Sequence, residues 1–357
     1  MKVSFRTFVL VAAFATLGYG AATAQSGDPL LGNRIAEGVV ADGQLWLRGA
    51  LGDPQPSGAL VSLNLASGAR TAQFDRGVID VDVADGTLWV LREATEAARD
   101  FTVFTWKDGA FQPLTNMGNG IPHPIAMFAG NHKVVVLTPV SIHIFDTSLR
   151  RWQGIRLKSP LRYGATFSAA MTTNGSAVYF GANNGESGGA LQRIDLSNGT
   201  VAEIQKQRSN NPCDGPLASA CTPVTSVVAD ADNGQCVIAS IGLVHAEVTD
   251  GRVLRVCGDD VTVLFEPKAA VQPAGSPVVM TEPIYGLAAA PGGFWAVSAK
   301  GLYRFRGDAH ADFPMSKAEN VAGITIGRSV PGAIIVPTGV VSAASVSGFA
   351  VLVVANE

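Results

Sequence analysis

Val81-Asp82-Val83-Ala84-Asp85-Gly86-Thr87-Leu88-Trp89-Val90-Leu91-Arg92 reads as strand, tight turn, strand. Asp85-Gly86 supplies the two positive-φ positions of a two-residue hairpin turn. Leu88, Trp89 and Val90 pack well on the two faces of a sheet. Variants of this unit recur along the chain. Their second strands are Gln44-Leu45-Trp46-Leu47, Leu88-Trp89-Val90, Val134-Val135-Val136-Leu137, Ala177-Val178-Tyr179-Phe180, Cys236-Val237-Ile238, Phe294-Trp295-Ala296-Val297 and Ala333-Ile334-Ile335-Val336. With Trp46, Trp89, Val135, Tyr179, Val237, Trp295 and Ile335 as anchors, the steps are 43, 46, 44, 58, 58 and 40 residues. Repeats of this length suggest propeller blades, and the two long steps imply insertions.

Each unit carries a second hairpin. Ala59 to Leu65 precedes Ser67-Gly68, Phe101 to Trp106 precedes Asp108-Gly109, and Ile142 to Phe145 precedes Asp146-Thr147. Ala190 to Leu196 precedes Asn198-Gly199, and Val244 to Val248 precedes Asp250-Gly251. Four antiparallel strands in each of seven units predict an all-β, seven-bladed β-propeller. Six blades stay open, because the last unit, Val321 to Val354, has the weakest turn signals.

Residues 1–24 read as a signal peptide: Lys2 and Arg6, an apolar run from Phe8 to Leu17, and a small-residue cleavage site at Ala22-Thr23-Ala24. Residues 25–357 are then one propeller domain. A periplasmic or secreted location follows. No run of 18 or more apolar residues reads as a membrane span. Charged residues are only 15% of the chain and the formal net charge is −3, which gives no electrostatic footprint for nucleic acid.

Asp42-Gly43-Gln44-Leu45-Trp46-Leu47, Asp85 to Val90 and Lys300-Gly301-Leu302-Tyr303-Arg304-Phe305 resemble regulator-type propeller repeats, found in the sensor portions of hybrid sensor kinases. Those repeats run Asp-Gly-x-Leu-Trp-apolar and then Gly-Leu-x-(Arg/Tyr)-aromatic. The resemblance covers two or three blades and implies a fold, not a role. Gly-His…Trp-Asp pairs, a Gly-Gly doublet in each blade and a Trp belt are all missing.

In a four-stranded meander the a–b and c–d loops lie at one end, and the b–c and d–a loops at the other. The former are short here. The latter are long, at Gly49 to Ser57, Glu93 to Asp100, Asn183 to Gly189, Gln205 to Thr222 and Pro267 to Glu282. Long loops on a rigid scaffold are where binding residues concentrate. The d–a loops should ring the channel mouth with Arg34, Glu37, Asp75, Arg76, His123, Arg162, Tyr163, Thr225, Glu282, Tyr285, Glu319 and Asn320. Ligand-binding candidates are Arg34, Asp75, Arg76, His123, Arg162, Tyr163 and Tyr285.

The chemistry-bearing residues are sparse. His123, His132, His143, His245 and His310 show no metal-ligand spacing, so no metal or cofactor is expected. His143 and His245 fall in predicted third strands, and His132 at the short-loop end. His123, in Gly118-Asn119-Gly120-Ile121-Pro122-His123-Pro124, lies at the long-loop end. If the protein is an enzyme, His123 with Tyr163 or Glu282 is the acid/base candidate, for a lyase or hydrolase at the channel mouth. The first expectation is non-enzymatic: binding of a protein, peptide or glycan partner through the loop-rich face. A third, a purely structural repeat protein, requires disordered insertions. Asp80 and Asp82 on an inner strand either hold a channel cation or hydrogen-bond to the backbone of the next blade, and the second is favoured. No Gly-x-Ser-x-Gly nucleophile turn precedes a helix, and the Gly-rich stretch Gly181 to Gly189 lies between two strands, so it is not a phosphate loop.

Four cysteines in an exported protein suggest disulfides. Cys213–Cys221 is the expected bridge, stiffening the first insertion, with Cys213–Cys257 the alternative. Turns placed at Ile241-Gly242 and Asp250-Gly251 put Cys236 roughly 13 Å from Cys257 along the strand, too far to bond. Cys236 is then a buried thiol.

Overall fold

The computed structural model describes residues 34–314 and three strands between 334 and 354. Outside the description lie 51–57, 65–69, 95–99, 119, 165, 212, 219–220, 246–247, 269–279, 291 and 299–300. The chain is a β-propeller of successive antiparallel sheets, with one 3-10 turn, Gly185–Ser187, as the only helical element among the described residues.

The first sheet joins β1 (Arg34–Ala41), β2 (Gln44–Ala50), β3 (Gly58–Asn64), β4 (Arg70–Ala84), β5 (Thr87–Glu93), β6 (Phe101–Lys107) and β7 (Ala110–Asn116) in chain order. It holds two blades. β4 runs unbroken for 15 residues. Arg70–Phe74 pairs with β3 as the outer strand of one blade, and Val78–Ala84 pairs with β5 as the inner strand of the next. Gly77, at φ 87°, marks the bend, and a Cβ there would lie 2.7 Å from the Glu93 carbonyl.

Four four-stranded sheets follow. They are β8 (Ala126–Gly130), β9 (Lys133–Leu137), β10 (Ser141–Asp146), β11 (Arg151–Arg156); β12 (Thr166–Met171), β13 (Ala177–Asn183), β14 (Gly189–Asp195), β15 (Val201–Ile204); β16 (Val224–Ala229), β17 (Cys236–His245), β18 (Val248–Cys257), β19 (Asp260–Phe265); and β20 (Ile284–Ala290), β21 (Gly293–Ser298), β22 (Gly301–Arg306), β23 (Ala309–Pro314). The expected turn chemistry is present. Asp42, Asp85 and Asp108 have φ of 52°, 51° and 53°, each followed by a positive-φ glycine.

The cores lie between sheets. Val135, Leu137 and Ile142 of one blade meet Val178, Phe180 and Ile194 of the next, and Tyr179 and Leu191 meet Val224, Val237 and Leu254. Each such side chain contributes about 1.5–3 kcal/mol by leaving water. The anchors Trp46, Val135, Tyr179, Val237 and Trp295 are fully buried, whereas Trp89 is half-buried.

Inner strands are also joined by side chain to backbone. Met127 N donates to Asp80 Oδ2 and Ala129 N to Asp82 Oδ2, both at 2.6 Å. Val227 N donates to Ser168 Oγ at 2.9 Å, and Thr225 Oγ1 donates to the Ile284 carbonyl at 2.6 Å. The paired aspartates therefore tie one blade to the next, as the favoured sequence expectation had it.

Three expectations are corrected. β17 and β18 are ten residues each, and Cys236 stands directly opposite Cys257, with Cα atoms 4.3 Å apart and a disulfide between them. No turn forms at Ile241-Gly242, because Gly242 and Gly251 are ladder partners. Their missing side chains admit the segment leading into β20: a Cβ on Gly251 would lie 1.8 Å from the Glu282 carbonyl, and one on Gly242 2.3 Å from that of Ile284. These glycines serve close approach rather than chain reversal. Neither a free Cys236 nor a Cys213–Cys257 bridge survives, since Cys213 bonds Cys221. His245 accordingly ends a second strand, not a third. Ile335 lies in β24 (Ile334–Pro337), an edge strand parallel to β26 (Phe349–Val354), with β25 (Ser342–Val346) on the other side of β26. It is not the second strand of a meander.

Candidate functional site

The long-loop end contains the candidate residues, singly or in pairs, at the lead into the first strands of successive blades. Arg34 opens β1 opposite Ala50; its side chain, Glu319 and Asn320 lie outside the described residues. Asp75 and Arg76 are exposed on β4 just before Gly77. Arg92 Nε donates to the Arg76 carbonyl at 3.3 Å, while its guanidinium lies over the Phe74 ring at 4.6 Å.

His123 sits before β8. Its Nδ1 is 2.8 Å from the Pro124 carbonyl, its Nε2 is 3.8 Å from Glu93 Oε2, and its ring meets Phe101 edge-on at 5.6 Å. Nδ1–H must donate to the carbonyl, so Nε2 faces the carboxylate. The His123 side chain is 37% exposed and that of Glu93 10%. Glu93 ends a second strand and carries no sequence signal of this pairing.

Arg162 and Tyr163 precede β12. The buried amide of Gln192 clamps the Arg162 backbone, accepting from its N and donating to its carbonyl, both at 2.9 Å. Arg162 Nη1 reaches Glu203 Oε2 at 2.6 Å. Tyr163 is 40% exposed, edge-on to Phe180 at 5.8 Å, and partial burial pushes its phenol up to about 12.

Glu282 and Tyr285 lead into β20. Glu282 is 4% exposed and accepts a hydrogen bond from Ser298 Oγ. Tyr285 is fully buried, and burial, with the Glu282 charge adding, pushes its phenol up to about 12. Burial also raises Tyr303, beside the same carboxylate. Glu282 and Tyr285 are thus neighbours in a packed cluster. His123, Tyr163 and Glu282, by contrast, enter three different sheets, and the structure engages each with its own local partners.

The other described histidines have local partners of their own. His143 Nε2 lies 2.9 Å from Ser141 Oγ, and burial lowers its pKa. His132 occupies a positive-φ turn position at 58°. His310 packs on Phe265 at 4.5 Å and approaches Asp312 Oδ1 at 3.4 Å.

The insertion between β15 and β16 is the most built feature of this end. Lys206 and Leu217 exchange backbone hydrogen bonds at 2.8 and 3.3 Å, and Arg208 N donates to the Asp214 carbonyl at 2.9 Å. Cys213–Cys221 closes the loop. Leu217 and Ala218 are fully buried, and Leu217 joins the core between β13 and β17. Arg252 of β18 donates from Nη1 to the Gly215 carbonyl at 2.9 Å. Residues 205–211 remain exposed, presenting Gln205, Lys206, Gln207, Arg208, Ser209, Asn210 and Asn211. The other insertion is described only at its stem, where Glu282 N donates to the Pro267 carbonyl at 2.7 Å.

No family model matches the sequence, and no curated protein matches it. Solved structures do. The extracellular domain of a hybrid two component system from B. thetaiotaomicron is 14% identical with a TM-score of 0.46, over 80% of this chain and 34% of that one. Dipeptidyl peptidase 4 from Porphyromonas gingivalis is 10% identical with a TM-score of 0.44, over 79% and 46%. The GH74 xyloglucanase from Xanthomonas campestris is 15% identical with a TM-score of 0.45, over 78% and 46%. The chain thus spans about a third of the length of the first and under half of the other two. Similarity at this level concerns the fold alone.

Proposed function

We propose that the chain is an exported, seven-unit β-propeller that binds a peptide or glycan partner, without catalysis, through its long-loop face. The observation that carries the binding role is the insertion between β15 and β16. It is stapled by a disulfide and anchored by Leu217, with a polar tip at 205–211 left in solvent. A preorganised loop loses little entropy on binding, and its amides, hydroxyl and two cations are hydrogen-bond donors suited to a polar partner. Seven units are supported by β24 lying beside both β20 and β1. Two disulfides and the leader-like residues 1–24 support export.

The test is binding of the chain from Gln25 onward to glycan and peptide arrays, beside a Lys206→Ala/Arg208→Ala variant. Retention on a defined glycan or peptide that the variant loses supports the proposal. Retention that the variant keeps moves the site away from this loop and overturns it. A lyase or hydrolase is the second reading, favoured by one observation, the accessible His123 beside Glu93. Turnover of a substrate by the wild type, abolished in His123→Ala, would establish it in place of the first.

A further inference from the structure

At the opposite, short-loop end, a cleft of about 450 Å3 opens between the sheets β8–β11 and β12–β15. A second recess of about 250 Å3 shares its wall at Lys133, Ile144, Leu196 and Ser197. The floor is aliphatic, from Ile144, Ile155 and Leu196. Asn174 and Gln153 add amide groups, and Ser176 and Ser197, whose hydroxyl protons go to Asn174 Oδ1 and Asp195 Oδ1, add acceptor oxygens.

Three charges cross one wall. Lys133 of β9 is the ladder partner of Asp146 of β10, and Asp146 that of Arg151 of β11. Directly opposed residues share a face of the sheet, with Cβ atoms about 5 Å apart. Asp146 Oδ1 is already occupied, accepting from Ser148 N and Leu149 N at 2.9 and 2.8 Å. Across the cleft, Asp195 Oδ1 accepts from the N and Oγ of Ser197 at 2.8 and 2.6 Å. Among the described residues neither Lys133 nor Arg151 is within ion-pair distance of a carboxylate. Each acid is held in its turn through Oδ1; Lys133 lines both the cleft and the recess, Arg151 lines the recess that joins it, and Arg193 of β14 also lines the cleft.

We propose that this cleft is a second binding site, for a hydroxyl-rich carboxylate of one or two sugar rings, such as a uronic acid unit. Lys133 and Arg151 take the carboxylate, Arg151 through its planar fork. The amide and hydroxyl side chains meet ring hydroxyls, which both donate and accept. Ile144 and Leu196 meet the apolar face of a ring. The volume lies in the range of small-ligand pockets. A neutral sugar leaves the cations unpaired, and a small inorganic anion leaves the floor and the hydroxyl edge uncovered.

The site is independent of the partner proposed for the long-loop face, and its test separates the two. The chain is titrated calorimetrically with digalacturonate, and with cellobiose as the neutral disaccharide. Saturable binding of digalacturonate is expected, weaker by roughly tenfold or more in Lys133→Ala/Arg151→Ala and falling as salt is raised. Ser176→Trp, which fills the cleft from an exposed position, is expected to abolish it, and Lys206→Ala/Arg208→Ala to leave it unchanged. Thermal melts within about 2 °C of the parent establish that each variant is folded. No heat up to about 10 mM digalacturonate, cellobiose binding as tightly, or full binding in both cleft variants would overturn the proposal.

Discussion

Asp82→Asn is expected to change stability by an amount that depends on pH, and the two contributions can be separated. Asp82 Oδ2 accepts from Ala129 N at 2.6 Å and Oδ1 from Val83 N at 2.8 Å. Burial pushes the carboxyl from 3.8 up to about 6, against the lowering effect of those two bonds and with Glu37 adding to the rise. Asn has one acceptor oxygen, so one bond is lost at every pH, at a cost of about 1 kcal/mol. The charge contribution is different. A raised pKa means that the folded state holds its proton over the interval where the unfolded state has released it. The stabilisation is full below 3.8 and lost as pH rises through about 6. From about pH 4.5 to about pH 7.5 the wild type loses about 2 kcal/mol from this group, at about 1.4 kcal/mol per unit. Asn has no charge to lose. By about pH 4.5 the wild type has already lost about 1 kcal/mol of this stabilisation, so the variant is about equal to it in stability at the acid end and more stable by about 2 kcal/mol at neutral pH. Urea midpoints of the two proteins across that range measure the difference, and other titrating groups cancel in it. A difference flat to within about 0.5 kcal/mol, or one moving the other way, would refute the account of Asp82 as a buried inter-blade tie.

Gly251→Ala should destabilise by about 2–3 kcal/mol or more, because its Cβ would fall 1.8 Å from the Glu282 carbonyl and force the lead into β20 to move; a denaturant midpoint unchanged from wild type would contradict this. Leu217→Ala is expected to cost about 2–5 kcal/mol, concentrated in the insertion, and limited proteolysis should then cut between residues 205 and 223 before any other site. Intact mass with and without reductant should differ by four hydrogens, and denatured, unreduced protein should take up no thiol reagent, as two disulfides require.

What the sequence conveyed depended on how far each signal reaches. Asp42-Gly43, Asp85-Gly86 and Asp108-Gly109 are local signals, and their positive φ values follow from residue type alone. Gly242 and Gly251 look the same in sequence, but their reason is a backbone from the following blade. That cause is not local, and treating them as turns misplaced Cys236 against Cys257. Pairing of Asp80 and Asp82 with the next inner strand could be anticipated, because a buried carboxylate must find donors. The partner of His123 could not. Glu93 becomes its neighbour only through packing of one blade on the next. The cleft beside Lys133 was equally hidden, since the short turns that line it read as plain connections.

The unbroken β4 has a consequence for motion. Among the described residues the blades from β8 to β19 are joined by segments outside the ladders, so one can open while its neighbour keeps its ladder. β4 gives its hydrogen bonds to β3 along one half and to β5 along the other, with Asp75, Arg76 and Gly77 between them. Lifting either half tugs directly on the other. Amide protons of Leu60 to Leu63 and Leu88 to Leu91 should therefore exchange with solvent as a single cooperative block. This pair of blades would be the mechanical keel of the molecule, about which the loop-jointed blades breathe.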